Sequence, residues 1–143
     1  MNHAISRVGV VGGGAMGSGI AALAARQGLT VMVKEGNEEF ARKAMENILQ
    51  RFQKWHDQGR IDLARLGELQ SRVTVTTESR DLESANLLIE AVPEDLQLKK
   101  KVFAELDAIL QPNAIMASNT SSFPIRELAA ATGRADRVIG MHF

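Results

Sequence analysis

The sequence predicts an α/β fold built on a doubly wound parallel sheet. Short runs rich in β-branched residues alternate with longer amphipathic segments along the 143 residues, as in successive strand–helix units. The first run, residues 5–11, is almost continuously apolar, which is typical of a central strand buried on both faces. Five glycines between positions 12 and 19 lie between this run and a helical segment rich in Ala and Leu. We expect the strand order 3-2-1-4-5-6.

The predicted elements follow one another in regular order. Residues 72–76 alternate as a half-buried strand does, and segment 37–58 has apolar residues at helical spacing behind a capping Asn37. A short turn or helix is expected at residues 81–85. The predicted strands span residues 5–11, 30–34, 72–76, 86–92, 114–117 and 137–142. The predicted helices span residues 15–27, 37–58, 62–70, 94–110 and 124–131.

Two helical regions carry specific expectations. The helical pair at residues 37–70 is longer than the crossover between the second and third strands requires, so we expect it to project from the sheet. The segment 94–110 is amphipathic, and its lysines at positions 99–101 are expected to form a largely solvated face. The residues expected to face inward from this helix are Leu98, Val102, Leu106 and Ile109.

Composition limits the functions that this chain can have. Seventeen basic and seventeen acidic residues give a net charge of zero, so nucleic-acid binding has no electrostatic support. Cysteine is absent, and His3, His56 and His142 lie too far apart in the sequence to suggest a metal site. No apolar run is long enough to span a bilayer, and no signal peptide is recognisable. We expect a cytoplasmic protein, or a mitochondrial-matrix protein if a transit peptide has been removed.

The glycines after the first strand fit a dinucleotide-binding fingerprint. Gly12, Gly14 and Gly17 match the pattern G-x-G-x-x-G. In this pattern the first glycine permits a tight turn, the second lets backbone approach a pyrophosphate, and the third lets the helix pack closely on the strand. The N–H groups that begin the helix then face the phosphates. The alternative is that these glycines serve packing alone.

An acidic residue follows the second predicted strand. Glu35 lies eighteen residues after Gly17, close to the spacing of about 20 expected for the acid that binds a ribose 2′-hydroxyl. A carboxylate there would repel a 2′-phosphate, so the sequence favours NAD over NADP, although the neighbouring Lys34 weakens this argument. The alternative is a solvated acid that interacts with the dipole of the next helix.

Polar residues follow the later strands, where ligands bind in this architecture. Glu90 and Glu94 follow the fourth strand, residues 118–122 follow the fifth, and His142 ends the sixth. A histidine in this place can accept a proton at neutral pH, so the residues predict a nicotinamide-dependent oxidoreductase with a histidine base. The alternatives are a structural role for Glu90, a helix-dipole role for Glu94 and a surface position for His142.

Four motifs in order resemble the L-3-hydroxyacyl-CoA dehydrogenases. They are V-G-G-G-A-M-G-S-G-I-A, I-E-A-V-P-E-D-L-Q-L-K-K-K-V-F, A-S-N-T-S-S and G-M-H-F. The stretch K-E-G-N-E-E-F is also similar to the dehydrogenase part of multifunctional fatty-acid oxidation proteins. The resemblance implies a Rossmann domain that takes part in oxidising L-3-hydroxyacyl-CoA to 3-oxoacyl-CoA, with hydride transfer to NAD, in fatty-acid β-oxidation.

The resemblance also implies residue roles. Glu35 takes the place of the usual aspartate on the adenosine ribose, and Gly13 stands where the family often has alanine. Ser121 lies near the nicotinamide and the 3-hydroxyl of the substrate, and His142 is the catalytic base. The remaining cofactor contacts implied by the resemblance are Gly12, Gly14, Ala15, Met16, Gly17, Glu94 and Lys99.

The family pattern continues beyond residue 143. It implies a glutamate that orients the histidine and a helical C-terminal domain that closes the acyl pocket and forms a homodimer. We therefore expect residues 1–143 to be the N-terminal NAD-binding domain of a longer enzyme, inactive alone and prone to self-association. The helical pair at residues 37–70 corresponds to the family's CoA-binding helices. The alternatives are a non-catalytic nucleotide-binding module and a relative that acts on a free hydroxy acid.

Overall fold

The computed structural model describes residues 4–12 and 14–143, so the expectations for His3 and Gly13 lie outside the described residues. The strands are β1 Arg7–Val11, β2 Thr30–Lys34, β3 Val73–Thr76, β4 Leu87–Glu90, β5 Ile115–Ser118 and β6 Val138–Gly140. The helices are α1 Ala15–Arg26, α2 Glu38–Asp57, α3 Leu63–Arg72, α4 Leu96–Asp107 and α5 Ile125–Ala129, with 3₁₀ turns at Ser79–Leu82 and Ala135–Arg137. None of these helices is long and apolar enough to cross a membrane.

The described strands form one parallel sheet in the order β3-β2-β1-β4-β5-β6, which confirms the predicted fold class and strand order. The strand register aligns the carboxyl ends of the four central strands. Val11 of β1 pairs with Lys34 of β2 and with Glu90 of β4, and Glu90 pairs with Ser118 of β5. Side chains and loops that follow these four positions therefore lie at one edge of the sheet.

Helices cover both faces of the sheet, and each face has its own apolar core. Val8 and Val10 of β1 face a core shared with α1, α2 and α3, whereas Val11 faces a core shared with α4 and α5. Phe52 of α2 and Phe103 of α4 are fully buried in these two cores. The near-continuous apolar composition of β1 and β4 reflects burial on both sides.

The helical insertion between β2 and β3 is present, but the expectation that it projects from the sheet is wrong for its inner face. Ile48 and Phe52 of α2 and Leu69 of α3 are fully buried in the core that they share with α1 and β1. Asn37 caps α2 as predicted, because its side chain accepts a hydrogen bond from the Phe40 N–H at 2.8 Å. Phe40 belongs to the apolar residues at helical spacing in segment 37–58, which predicts that it is buried, but it is 51% exposed.

The fourth helix differs most from its prediction. It begins at Leu96 because the side chain of Asp95 accepts a hydrogen bond from the Leu98 N–H at 3.1 Å. The expectation that the lysines face outward is wrong for Lys99, which is fully buried, and the expectation that Leu98 faces inward is wrong, since it is 38% exposed. The physical reason is that Glu90 at the end of β4 offers Lys99 a partner inside the fold.

The last strand is shorter than predicted. It ends at Gly140, so His142 lies in the loop beyond it rather than in the strand. The fourth strand likewise ends at Glu90, and the chain from Ala91 to Asp95 forms a loop. These shorter strands place Glu94 and His142 on loops at the carboxyl edge of the sheet.

Candidate functional site

Two of the three fingerprint glycines are required by the fold itself. Gly12 has a φ of +98° and its N–H donates to the Lys34 carbonyl at 3.0 Å, while a Cβ at this position would lie 2.8 Å from the Ala91 carbonyl oxygen. A Cβ at Gly17 would lie 1.6 Å from the Gly12 carbonyl oxygen. Both glycines let the turn after β1 stay tight and let α1 begin against the strand end.

Neither packing nor backbone conformation requires a glycine at position 14 in the part of the chain that the structure describes. A Cβ there would meet no atom within 4 Å, and its φ of −59° suits any residue. Gly14 precedes α1, whose first turn contains no acidic residue and whose N-terminus has no side-chain cap. The open space beside Gly14 and the N-terminal N–H groups of α1 therefore form a cradle that fits an anionic pyrophosphate.

A cleft of about 680 Å³ extends from this cradle to the end of β2, which lies within the range of about 300–1,000 Å³ typical of ligand pockets. Glu35 lies in the cleft, and its backbone N–H donates to the Thr76 carbonyl at 2.9 Å. Phe40 and Leu98 form apolar walls, which explains their exposure. The predicted contacts that line this cleft are Gly12, Gly14, Ala15, Met16, Gly17 and Glu35.

A buried ionic cluster lies at the carboxyl end of β4. The Lys99 Nζ contacts Glu90 Oε2 at 2.7 Å and Glu94 Oε1 at 2.9 Å, and it donates to the Val92 carbonyl at 3.2 Å. The Ser118 hydroxyl donates to Glu90 Oε1 at 2.5 Å. Lys99, Glu90 and Ser118 are fully buried. The cluster joins α4 to the ends of two neighbouring strands.

The cluster opens to solvent at Glu94, whose side chain is 40% exposed. Glu94 Oε2 accepts a hydrogen bond from the Thr120 hydroxyl at 2.8 Å. Partial burial raises the pKa of Glu94, but hydrogen bonds from Lys99 and Thr120 outweigh it and hold that pKa below its ordinary value. Glu94 is therefore an ionised acceptor at neutral pH, beside the loop that contains Ser121.

His142 is held at the same edge by backbone contacts on both sides. The Met141 N–H donates to the Ser118 carbonyl at 3.0 Å, and the Phe143 N–H donates to Asn119 Oδ1 at 3.2 Å. His142 and Ser121 are both exposed, on the loops that follow β6 and β5. No hydrogen bond joins these two side chains in the part of the chain that the structure describes.

The structure thus gathers the predicted residues into two groups. The glycine turn and Glu35 share the cleft near β1 and β2, while Glu94, Lys99, Ser121 and His142 lie near the ends of β4 to β6. In residues 4–12 and 14–143, no group of three or more His, Asp or Glu side chains is arranged to hold a metal ion.

Sequence reasoning missed the contacts of Glu90 and the hydrogen bond that the Asn119 side chain accepts from the Phe143 N–H. A signal for the first was present, because a charged residue inside the apolar run L-L-I-E-A-V needs a buried partner. Lys99 follows Glu90 by nine residues, which places it on the next helix. Nothing in the sequence signals that Asn119 binds the backbone beside His142.

The fold and the site define a dinucleotide-binding domain of the doubly wound class, with its ligand cleft where the strand order reverses between β1 and β4. Residues 7–143 match the family described as "3-hydroxyacyl-CoA dehydrogenase, NAD binding domain". The chain belongs to this family, and its cofactor is NAD. The predicted resemblance is confirmed.

Individual relatives agree with this assignment. A 3-hydroxybutyryl-CoA dehydrogenase of Mycobacterium tuberculosis is 43% identical over 144 aligned residues, which cover 100% of this chain and 50% of the relative. The crystal structure of M. tuberculosis FadB2 superposes with a TM-score of 0.95 at 43% identity, covering 98% of this chain and 50% of that one. A peroxisomal bifunctional enzyme of Cavia porcellus is 38% identical, covering 97% of this chain and 19% of the relative.

The chain spans about half the length of the curated M. tuberculosis enzyme and of the chain in the FadB2 crystal structure. It spans a smaller part, 19%, of the bifunctional enzyme. The fold, the family and the cofactor are therefore properties of this chain.

Proposed function

We propose that this chain is the NAD-binding half of an enzyme that interconverts L-3-hydroxyacyl-CoA and 3-oxoacyl-CoA. The observation that carries the proposal is the cleft that contains both the open Gly14 cradle and Glu35, at the same sheet edge as His142. The named activity of the M. tuberculosis relative favours a short acyl chain, such as 3-hydroxybutyryl-CoA. A peroxisomal fatty acid β-oxidation multifunctional protein of Arabidopsis thaliana, which is 32% identical over 97% of this chain, supports a place in β-oxidation.

Each group of site residues has a distinct task in this proposal. The cofactor, when bound, supplies the nicotinamide ring that exchanges a hydride with C3 of the substrate. The α1 N-terminus binds the pyrophosphate, and Glu35 accepts a hydrogen bond from the adenosine ribose and repels a 2′-phosphate. His142 accepts the 3-hydroxyl proton on its imidazole ring as the hydride leaves C3. The Ser121 hydroxyl hydrogen-bonds the substrate oxygen, and Glu94 orients the nicotinamide ribose.

The helical insertion supplies a site for the CoA part of the substrate. A groove of about 390 Å³ between α1 and α2 is lined by Arg51 and Lys54 together with Asn47 and Gln50. Arg51 also donates to the Ala15 carbonyl in the first turn of α1 at 3.2 Å, which fixes the guanidinium near the cofactor cleft. Two cations and two amides in one groove suit phosphate groups, and this supports the expected role of the helical pair in CoA binding.

The proposal is tested by assaying NADH oxidation with acetoacetyl-CoA in the natural protein that carries these residues. His142→Gln is expected to lower kcat by about 10²–10⁴-fold, the usual contribution of a general acid–base group. His56→Gln, on the far end of α2, is the matched control and is expected to keep full activity. Undiminished turnover in His142→Gln would contradict the proposed base. Inhibition by free CoA separates a thioester substrate from a free hydroxy acid.

Other expectations about the protein stay proposals. Residues 1–143 assayed by themselves are expected to bind NADH without reducing acetoacetyl-CoA, since they span only about half the length of the matched dehydrogenases. Assembly as a homodimer, self-association of the isolated chain, a cytoplasmic location and the absence of nucleic-acid binding remain predictions. The non-catalytic alternative predicts NADH binding without turnover in the natural protein also.

A further inference from the structure

We propose that Glu90 is a positioning residue that holds the nicotinamide side of the cofactor site in place. It acts through two neighbours, since its carboxylate orients Lys99 toward Glu94 and ties the loop after β5 to the end of β4. The inference rests on the proposed function, because it concerns the same cofactor site. Glu90 itself touches no ligand, because it is fully buried.

Both oxygens of Glu90 are committed to the protein. Oε1 accepts the Ser118 hydroxyl at 2.5 Å. Oε2 accepts the Lys99 ammonium at 2.7 Å and the Val92 N–H at 2.8 Å. The bond to Val92 turns the chain immediately after β4, and the bond to Ser118 fixes the last residue of β5. One carboxylate thereby sets where two adjacent loops leave the sheet.

Lys99 connects the buried Glu90 to the exposed Glu94. An ammonium group has three N–H donors, and here all three have acceptors, in Glu90, in the Val92 carbonyl and in Glu94 Oε1 at 2.9 Å. Because Lys99 is fully buried, it presents no free surface of its own to a ligand. The first group of this series that a ligand can reach is Glu94, whose other oxygen accepts the Thr120 hydroxyl.

The position of the series in the sheet identifies the half of the cofactor that it serves. A doubly wound sheet binds a dinucleotide with one half over each set of strands. The glycine turn and Glu35 follow β1 and β2, and they serve the adenosine half. Glu94 and Thr120 follow β4 and β5, and they serve the nicotinamide half. A change at Glu90 should therefore weaken binding of the nicotinamide half selectively.

The test compares two ligands on the chain of residues 1–143 and its Glu90→Gln variant. NADH fills both halves of the site, whereas ADP carries only the adenosine and pyrophosphate groups. The amide keeps the size of Glu90 but removes the charge that holds Lys99. We expect the Kd for NADH to rise about tenfold and the Kd for ADP to change less than about twofold, the first being the effect of disturbing a charged buried hydrogen bond.

Two further variants keep the outcome decisive. Glu127→Gln is the matched control, because Glu127 on α5 pairs at the surface, at 3.2 Å, with Lys100, the neighbour of Lys99 on α4. Both Kd values should stay unchanged. Ser118→Ala removes one bond to Glu90 and keeps the ion pair. It should raise the Kd for NADH about threefold, in the same selective way, if Glu90→Gln does not fold.

The outcomes are distinguishable. An equal loss of NADH and ADP affinity would assign Glu90 a role in folding alone and overturn the inference, as would unchanged affinity for NADH. Failure of the unaltered chain to bind NADH would instead overturn the proposed function and the inference with it. Selective loss of NADH affinity in Glu90→Gln and Ser118→Ala, with the control unchanged, supports the positioning role.

Discussion

The two ends of α4 both carry a buried ionic cluster, but the clusters are built differently. At the C-terminal end, Arg134 donates to Asp107 Oδ1 at 2.6 Å and to four backbone carbonyls, those of Asp107, Leu110, Gln111 and Ala114. At the N-terminal end, Lys99 links buried Glu90 to exposed Glu94. Every guanidinium N–H of Arg134 donates to an acceptor within the protein. The Lys99 cluster instead ends at Glu94, on the edge of the sheet where ligands bind.

Burial alone does not separate structural from functional charges in this protein. Arg134 satisfies the last carbonyls of α4 and the chain before β5, at the amino edge of the sheet, far from any strand end that faces the cleft. The Lys99 cluster lies at the carboxyl edge, where ligands bind in this fold. What distinguishes the clusters is where their contacts end, inside the fold or at a group that solvent and ligands reach.

The largest expected effect is on stability, at the C-terminal end. Arg134→Ala removes one of two donors to the Asp107 carboxylate and one donor to each of four carbonyls, so we expect the free energy of unfolding to fall by about 3 kcal/mol. Urea denaturation measures this loss, and NADH titration of the folded protein should give the Kd of the unaltered chain. Arg137→Ala, which removes one bond to the Asn113 carbonyl, is the control and should change little. A weaker NADH affinity in folded Arg134→Ala would contradict a purely structural role for the Arg134 cluster.

The opposite result is expected at the N-terminal end. Glu94→Gln changes a side chain that is 40% exposed, so the free energy of unfolding should stay within about 0.5 kcal/mol. The Kd for NADH should nevertheless rise about fivefold, because the nicotinamide ribose loses a charged acceptor. Fluorescence titration and urea denaturation of the same preparation measure both quantities. Glu46→Gln, which alters an exposed pair with Arg42, is the control. Unchanged NADH affinity in Glu94→Gln would contradict a role for the Lys99 cluster in cofactor binding.

The smallest expected effect is a difference in acid sensitivity. Partial burial raises the pKa of Asp107, but hydrogen bonds from the Gly133 N–H and from Arg134 outweigh it, so the pKa is lowered overall. A carboxyl whose pKa is lower in the folded state stabilises the protein above its unfolded pKa of about 3.9, and this contribution is lost as pH falls through the folded value. Asp107→Asn should therefore lose less stability than the unaltered chain between pH 5 and pH 3. Parallel losses in urea denaturation at these pH values would contradict the assignment.

The parts of the molecule that the sequence predicted are those set by local pattern. The alternation of strands and helices gave the fold class and the strand order, and the spacing of Gly12, Gly14 and Gly17 with Glu35 gave residues that share one cleft. Helical periodicity predicted two residues of α4 wrongly, because it indicated a solvated Lys99 and a buried Leu98. Electrostatic pairing with Glu90 overrode the hydrophobic pattern there.

The contacts that sequence reasoning missed join residues far apart in the chain. Ser118 lies 28 residues from Glu90, and Asn119 lies 24 residues from the backbone that it binds at Phe143. Neither contact follows from composition or periodicity, since each depends on two strands being neighbours and in register. Once the strand order is known, the pairing of Glu90 with Ser118 follows from the register of β4 and β5.

We propose that a bound dinucleotide, rather than the fold, requires a glycine at position 14. Titration of NADH into the Gly14→Ala variant tests it most directly, with Gly67→Ala as the control, because a Cβ at either position meets no atom of non-adjacent described residues within 4 Å. We predict that Gly14→Ala unfolds at the same urea concentration as the unaltered chain but binds NADH at least about tenfold more weakly. Gly67→Ala should bind NADH normally. Normal NADH affinity in Gly14→Ala would contradict the claim.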